Sequence, residues 1–189
     1  MPEFMPPTKL KVDPFAAQDD PGQSYEEVTS AFFGNTTSAR NVTAKPVSIF
    51  EIFPDYTQPR RTIPSEMRKT WNGAVDAQTM GSLFEAWIAL IESEAQRPFL
   101  LEKYLEPSDD FVRVADLHPL ESSWLKLIDV AVSIRDKGLV NPITGMRVDK
   151  LYQIETGERR WLAYHLLYWY THGDAQWEKI PMHIVEQIS

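Results

Sequence analysis

The sequence predicts a compact α+β domain, and three observations point to it. β-rich runs stand at Val47–Phe53, around Ile143–Val148 and at Ile180–Val185. Stretches with apolar residues at helical spacing lie between them, the clearest from Ala77 to Ala95. The resulting order is strand, loop, helices, strand, strand, helix, strand, with no internal repeat.

Taken along the chain, residues 1–46 are Pro-, Thr-, Ser- and Asp-rich without sustained periodicity. They read as an extended or partly disordered arm with at most one short helix near Tyr25–Phe33. Met1-Pro2-Glu3-Phe4 reads as a cloning remnant before a natural start at Met5. The domain proper is expected over 47–189, opening with the strand Val47–Phe53, which Pro54 stops. Asp55 to Arg61 reads as an extended loop, because a residue before proline avoids the α region. Residues 65–117 read as mostly helical. In the helix Ala77–Ala95, Met80, Leu83, Phe84, Trp87, Ile88 and Ile91 share one face. A short helix follows at Phe99–Leu105, and Asp109-Asp110 marks a turn. Ser122 is the expected N-cap of a helix reaching Lys137, with Gly138 as its stop and Leu127, Val130, Ala131 and Ile134 as its buried stripe. Two strands then meet at a turn on Asp149-Lys150, the second being Leu151–Glu155. Gly157 breaks that strand, Glu158 opens a helix to Tyr170, and Thr171–Asp174 forms a loop before the last strand.

Composition bounds the function. With 43% hydrophobic residues and six Trp the chain builds a real core, and 14 Pro against 8 Gly imply stiff connections. The formal charge is −8, from 19 basic and 27 acidic residues, so the chain as a whole is a poor non-specific DNA binder. DNA contact is expected only from a local basic patch, with Arg60, Arg61, Arg68 and Lys69 as the candidate, or from regions outside this chain. Solvated charge is the default for such a run. There is no cysteine, which excludes disulfides, thiolate metal sites and a cysteine nucleophile and fits a cytoplasmic protein. No apolar run approaches a membrane span.

The chemistry concentrates where a strand, Thr156-Gly157-Glu158-Arg159-Arg160 and a helix follow one another. Gly157 lets the backbone turn sharply and approach a ligand. Unpaired N–H groups of the first helical turn attract anions. Arg159 and Arg160 add forked donors that match phosphate oxygens. Glu158 favours the helix dipole and suits orienting an arginine or a metal-bound water. The same residues equally describe the surface start of an ordinary helix with i, i+4 pairing, and the residues alone leave both readings open.

The flanking sequence resembles the ParB family. Ser133-Ile134 to Gly138 and Pro142 resembles the family's S-I-x-x-x-G-x-x-x-P box, and Leu151–Ala163 its box with the core G-E-R-R-x-R-A. Pro54 followed by Gln58-Pro59-Arg60 looks like its P-x-x-Q-P-R loop. The resemblance covers 47–61 and 125–186, less than half of the chain. It implies a ParB/sulfiredoxin-like fold with a small mixed sheet, interrupted here by a helical insertion at about 65–117. It further implies binding of a nucleoside triphosphate, CTP favoured, together with Mg2+, in a dimeric protein acting on DNA in chromosome or plasmid partition. Carried over, Thr156, Gly157, Glu158, Arg159 and Arg160 contact the triphosphate, Gly138, Asn141 and Pro142 shape the pocket, and Gln58 and Arg60 lie alongside. Leu162 stands where the family carries a third arginine, and Asn141 where glutamine is common. The family's E-N-x-Q-R motif would follow the last strand, beyond Ser189. Whether such a corner also hydrolyses CTP stays open.

Other readings carry less. A metal-dependent DNase needs a carboxylate set, and Asp109, Asp110 and Asp116 are commoner as turn residues. His118, His165, His172 and His183 have no metal-ligand spacing. Trp161, Tyr164, Tyr168, Trp169 and Tyr170 suit base stacking, but their helical spacing favours core and a contact face for the inserted helices. A non-catalytic protein-interaction module is the third alternative. Sulfiredoxin chemistry is excluded for want of a cysteine.

Overall fold

The computed structural model describes residues 43–186, and the arm expected before Thr43, with its short helix, lies outside them. Five strands form one mixed sheet: β1 (Lys45–Ser48), β2 (Ile52–Phe53), β3 (Ile143–Val148), β4 (Leu151–Thr156) and β5 (Lys179–Val185), in the order β1-β5-β3-β4-β2. β3 and β4 make an antiparallel hairpin, and Asp149 takes the left-handed conformation (φ 56°) at its turn. β5 lies parallel to β3 and antiparallel to β1, while β2 runs parallel to β4. The α+β class expected from the sequence is the one observed.

The expected strand Val47–Phe53 is in fact two strands. A three-residue 3-10 turn, Ile49–Glu51, separates β1 from β2 and sends them to opposite edges of the sheet. Four chain steps reach at most about 13–14 Å, whereas four inter-strand spacings in a flat sheet amount to about 19 Å. The sheet therefore curls until its edges approach each other, and Ile49–Glu51 forms the seam.

The helices are α1 (Ser65–Thr70), α2 (Ala77–Ala95), α3 (Leu101–Leu105), α4 (Pro119–Lys137) and α5 (Glu158–Tyr170). Helix α2 has the expected bounds, with Asp76 as its N-cap accepting from the Thr79 N–H at 2.9 Å. Helix α4 starts earlier than expected. Pro119 occupies its first turn and the His118 ring, not Ser122, accepts from the Leu120 N–H. Its buried face is accordingly wider, adding Leu120, Trp124, Leu125 and Ile128, while Val130 is only partly buried. Glu121 is also buried on this helix and pairs with Arg97 at 2.5 Å, a contact that ties the segment after α2 to α4.

Helix α5 is the hub. Trp161, Leu162, Ala163, His165 and Leu166 are buried. Trp169 packs on α2, its ring 5.6 Å from Phe84 and so close to Gly81 that a Cβ there would lie 2.9 Å from the indole. The aromatic face of α5 is thus core and a seat for the inserted helix, as its spacing indicated. Leu162 is fully buried, which explains an apolar residue at that position. From the same helix the Trp161 Nε1–H donates to the Ile49 carbonyl at 3.0 Å, and His165 Nε2 lies 3.1 Å from the same oxygen. Because a carbonyl only accepts, His165 is the donor there.

Complete burial lowers the His165 pKa to about 3, against an ordinary value of 6.5. The unfolded chain takes up this proton near pH 6.5, whereas the folded chain resists until about pH 3. The folded state is therefore fully favoured by this group above pH 6.5 and loses stability as pH falls towards 3. The slope is up to about 1.4 kcal/mol per pH unit. Urea melts of the wild type and His165→Gln between pH 7.5 and 5 measure it. The wild type should lose stability more steeply on acidification than the variant, and parallel pH profiles would contradict the assignment.

Candidate functional site

The first turn of α5 faces a cleft of about 270 Å³. One wall comes from Ile154, Glu155, Gly157, Glu158 and Arg159, the other from Asp55, Gln58, Arg60 and Thr62. Gly157 is the N-cap of α5 in the left-handed region (φ 102°), and no side chain caps the helix. Its first N–H groups are therefore open to an incoming acceptor. A bulge between Thr144 and Gly145 bends β3 beside this corner, where Thr144 pairs with Thr156.

Each residue of the corner has a distinct role. Gly157 is required twice over: its φ disfavours side chains, and a Cβ would lie 2.6 Å from Ile143 Cγ2. Glu158 binds protein rather than solvent. Its carboxylate receives Arg61 Nε at 3.3 Å and the Thr62 backbone N–H, pulling the 55–62 loop onto the helix start. Burial pushes the Glu158 carboxyl above its usual range, with Arg61 opposing. Arg160 turns away from the cleft and donates to the carbonyls of Asn141 and Pro142, the latter at 3.0 Å, holding the connection between α4 and β3. Arg159 is exposed and lines the cleft, its side chain making no hydrogen bond or ion pair among the described residues, and the same holds for Arg60. Both guanidinium groups are left free to meet an anion.

The other expected residues are placed as follows. Gln58 lines the cleft, but its amide donates to Asp55 Oδ2 at 3.2 Å. Asp55 anchors the turn by accepting from Thr57 N–H and Oγ1–H, and the Thr57 hydroxyl holds its carboxyl below the usual range. Thr156 ends β4 and is exposed. Asn141 and Pro142 meet the site through Arg160. Gly138 closes α4 with φ 79°, its N–H bonded to the Ile134 carbonyl, and nothing lies within 4 Å of where its Cβ would be.

Sequence reasoning missed Arg61. Expected to be solvated charge, its side chain is only 2% exposed, set between Glu158 and the face of Tyr56 (5.5 Å to the ring centroid). Its Nη2 is buried without a partner, an arrangement that costs about 1–3 kcal/mol or more for a charged group. The only local signal was Ile63, an apolar residue two positions on that is fully buried. Among the described residues no three His, Asp or Glu side chains converge to hold a metal ion.

Three substitutions separate these roles by urea denaturation. Gly157→Ala should cost about 1–3 kcal/mol through strain at positive φ and the contact with Ile143. Arg160→Ala should cost a similar amount, about 1.5–3 kcal/mol, because its charge-assisted bonds to two carbonyls go. Arg159→Ala should stay within about 0.5 kcal/mol of wild type. Equal losses for the two arginines would refute this division.

Comparison with known proteins bears on the same region. No curated protein matches the chain. A family model, the ParB N-terminal domain, matches residues 122–188. That stretch holds nearly all of α4 and the whole of β3, β4, α5 and β5, including the glycine-glutamate-arginine-arginine corner, whereas the opposite wall of the cleft at 55–62 lies before it. Over residues 122–188, about a third of the chain, the sequence is therefore similar to the ParB N-terminal domain.

Proposed function

We propose that this chain is the nucleotide-binding module of a ParB-like protein that segregates or regulates DNA, with CTP as its nucleotide and the triphosphate held at Gly157–Arg159. The observation that carries the reading is the uncapped start of α5 opening into a cleft beside two unpartnered arginines, Arg60 and Arg159. Open N–H groups and free guanidinium forks are the donors a phosphate chain requires. Arg160 serves by fixing the Asn141-Pro142 wall, and Glu158 by fixing the loop that carries Arg60.

Magnesium would enter with the phosphates. Mg2+ is usually bound through one or two carboxylates, with substrate phosphates and water completing its shell, so it needs no protein cage. Glu155 is the cleft carboxylate without a protein partner, since Glu158 and Asp55 are engaged.

Thermal melts with each nucleoside triphosphate plus Mg2+ test the proposal. A ligand at a hundredfold excess over its Kd stabilises by about 2.7 kcal/mol. CTP should raise Tm by several degrees, and ATP, GTP and UTP by less. Arg159→Ala and Arg60→Ala should each remove most of the CTP shift while leaving the ligand-free Tm unchanged. No shift with any nucleotide, or equal shifts with all four, would overturn it.

A further inference from the structure

A second cavity, of about 460 Å³, is lined by Tyr56, Arg61, Arg68, Trp71, Asn72 and Gly73. Its volume falls within the range of about 300–1,000 Å³ usual for small-molecule sites. All six residues precede the stretch matched by the family model.

Three features give this cavity a chemical preference. The first is charge. Its only charged lining residues are Arg61 and Arg68, and the side chain of Arg61 is buried with Nη2 unpartnered. The single carboxylate bound to Arg61, that of Glu158, engages Nε and so leaves the fork of Nη groups to a second acceptor. Arg68 makes no side-chain hydrogen bond among the described residues. The second is a pre-set aromatic wall. The Tyr56 hydroxyl donates to the Gly73 carbonyl at 2.7 Å and Trp71 Nε1–H to the Ala74 carbonyl at 2.9 Å, so both rings are held in place, 6.0 Å apart between centroids. The third is Asn72, whose Oδ1 accepts from the Ala74 N–H at 2.8 Å and whose amide N–H groups remain as donors.

We infer that this cavity is a second ligand site, distinct from the cleft at Gly157–Arg159, and that it takes a planar aromatic ring bearing an oxyanion, carboxylate or phosphate. The anion meets the forks of Arg61 and Arg68 with the Asn72 amide, and the ring lies against Trp71 and Tyr56. An uncharged ring leaves the buried Arg61 Nη2 unsatisfied, and a bare anion leaves the aromatic wall uncovered. Both should bind more weakly.

Isothermal titration of the full chain with phenyl phosphate and benzoate tests this, with inorganic phosphate and phenol as the single-feature controls. One of the two aromatic anions should bind at least tenfold more tightly than either control, and whichever is tighter identifies the anion. Arg68→Gln should weaken it at least tenfold, and Asn72→Asp should do likewise while preserving the turn through its remaining acceptor oxygen. Arg159→Ala, which alters only the other cleft, should leave it unchanged. Absence of binding by both aromatic anions would overturn the inference, as would equal binding of phenol or inorganic phosphate. Loss of binding in Arg159→Ala with retention in Arg68→Gln would place the ligand in the cleft and overturn it equally.

Discussion

The Ile49 carbonyl, buried at the seam of the sheet, accepts two side-chain hydrogen bonds from one helix. Everything that positions the site depends on this junction. Ile49 lies in the turn that links the two edge strands, and its own N–H donates to the Glu178 carbonyl just before β5. Trp161 and His165, one helical turn apart on α5, both point at the oxygen left over. A buried carbonyl without a partner is costly, and an imidazole forced to remain neutral is a poor residue to bury for any other purpose. Together the three groups hold the curled sheet to the helix whose first turn forms the cleft.

Within the cleft, charge does two different jobs. Glu158 and Arg160 are spent on structure: one pins the 55–62 loop, the other the Asn141-Pro142 connection. Arg159 and Arg60 stay uncommitted: they are exposed, and their side chains make no ion pair among the described residues. A short run of adjacent charged residues thus builds its own walls and still presents cations between them. Arg61 stands behind this arrangement and lines the second cavity, one of its nitrogens serving Glu158 and another buried without a partner. The helical insertion contributes α1 and the Trp71–Gly73 turn to the second cavity and packs α2 on α5. It is therefore part of the same core rather than an appendage.

Much of this was legible before any coordinates. The bounds of α2 and α5, the Asp149-Lys150 hairpin and the Gly157 break follow from local rules: apolar spacing, turn residues and a glycine where φ must be positive. The start of α4 was misplaced because Ser122 outranks His118 as a cap by propensity. Pro119, favoured in a first helical turn, was the competing signal that decided the boundary. Gly157, Glu158 and Arg159 reached the cleft as their order implied. Arg160 did not, because one helical step rotates a side chain by about 100°, enough to turn it from the cleft to the neighbouring carbonyls.

By itself the sequence determined the class of fold, the order of its elements and the location of the glycine turn that opens α5, since each is encoded over a few neighbouring residues. Tertiary structure alone decided that Val47–Phe53 splits between two sheet edges, that Arg61 is buried and that Glu158 serves a loop nearly a hundred residues earlier in the chain. These outcomes depend on contacts between distant segments. Burying a guanidinium or breaking a β-rich run is favourable only once a carboxylate, an aromatic face or a curled sheet from elsewhere in the chain is in place to compensate.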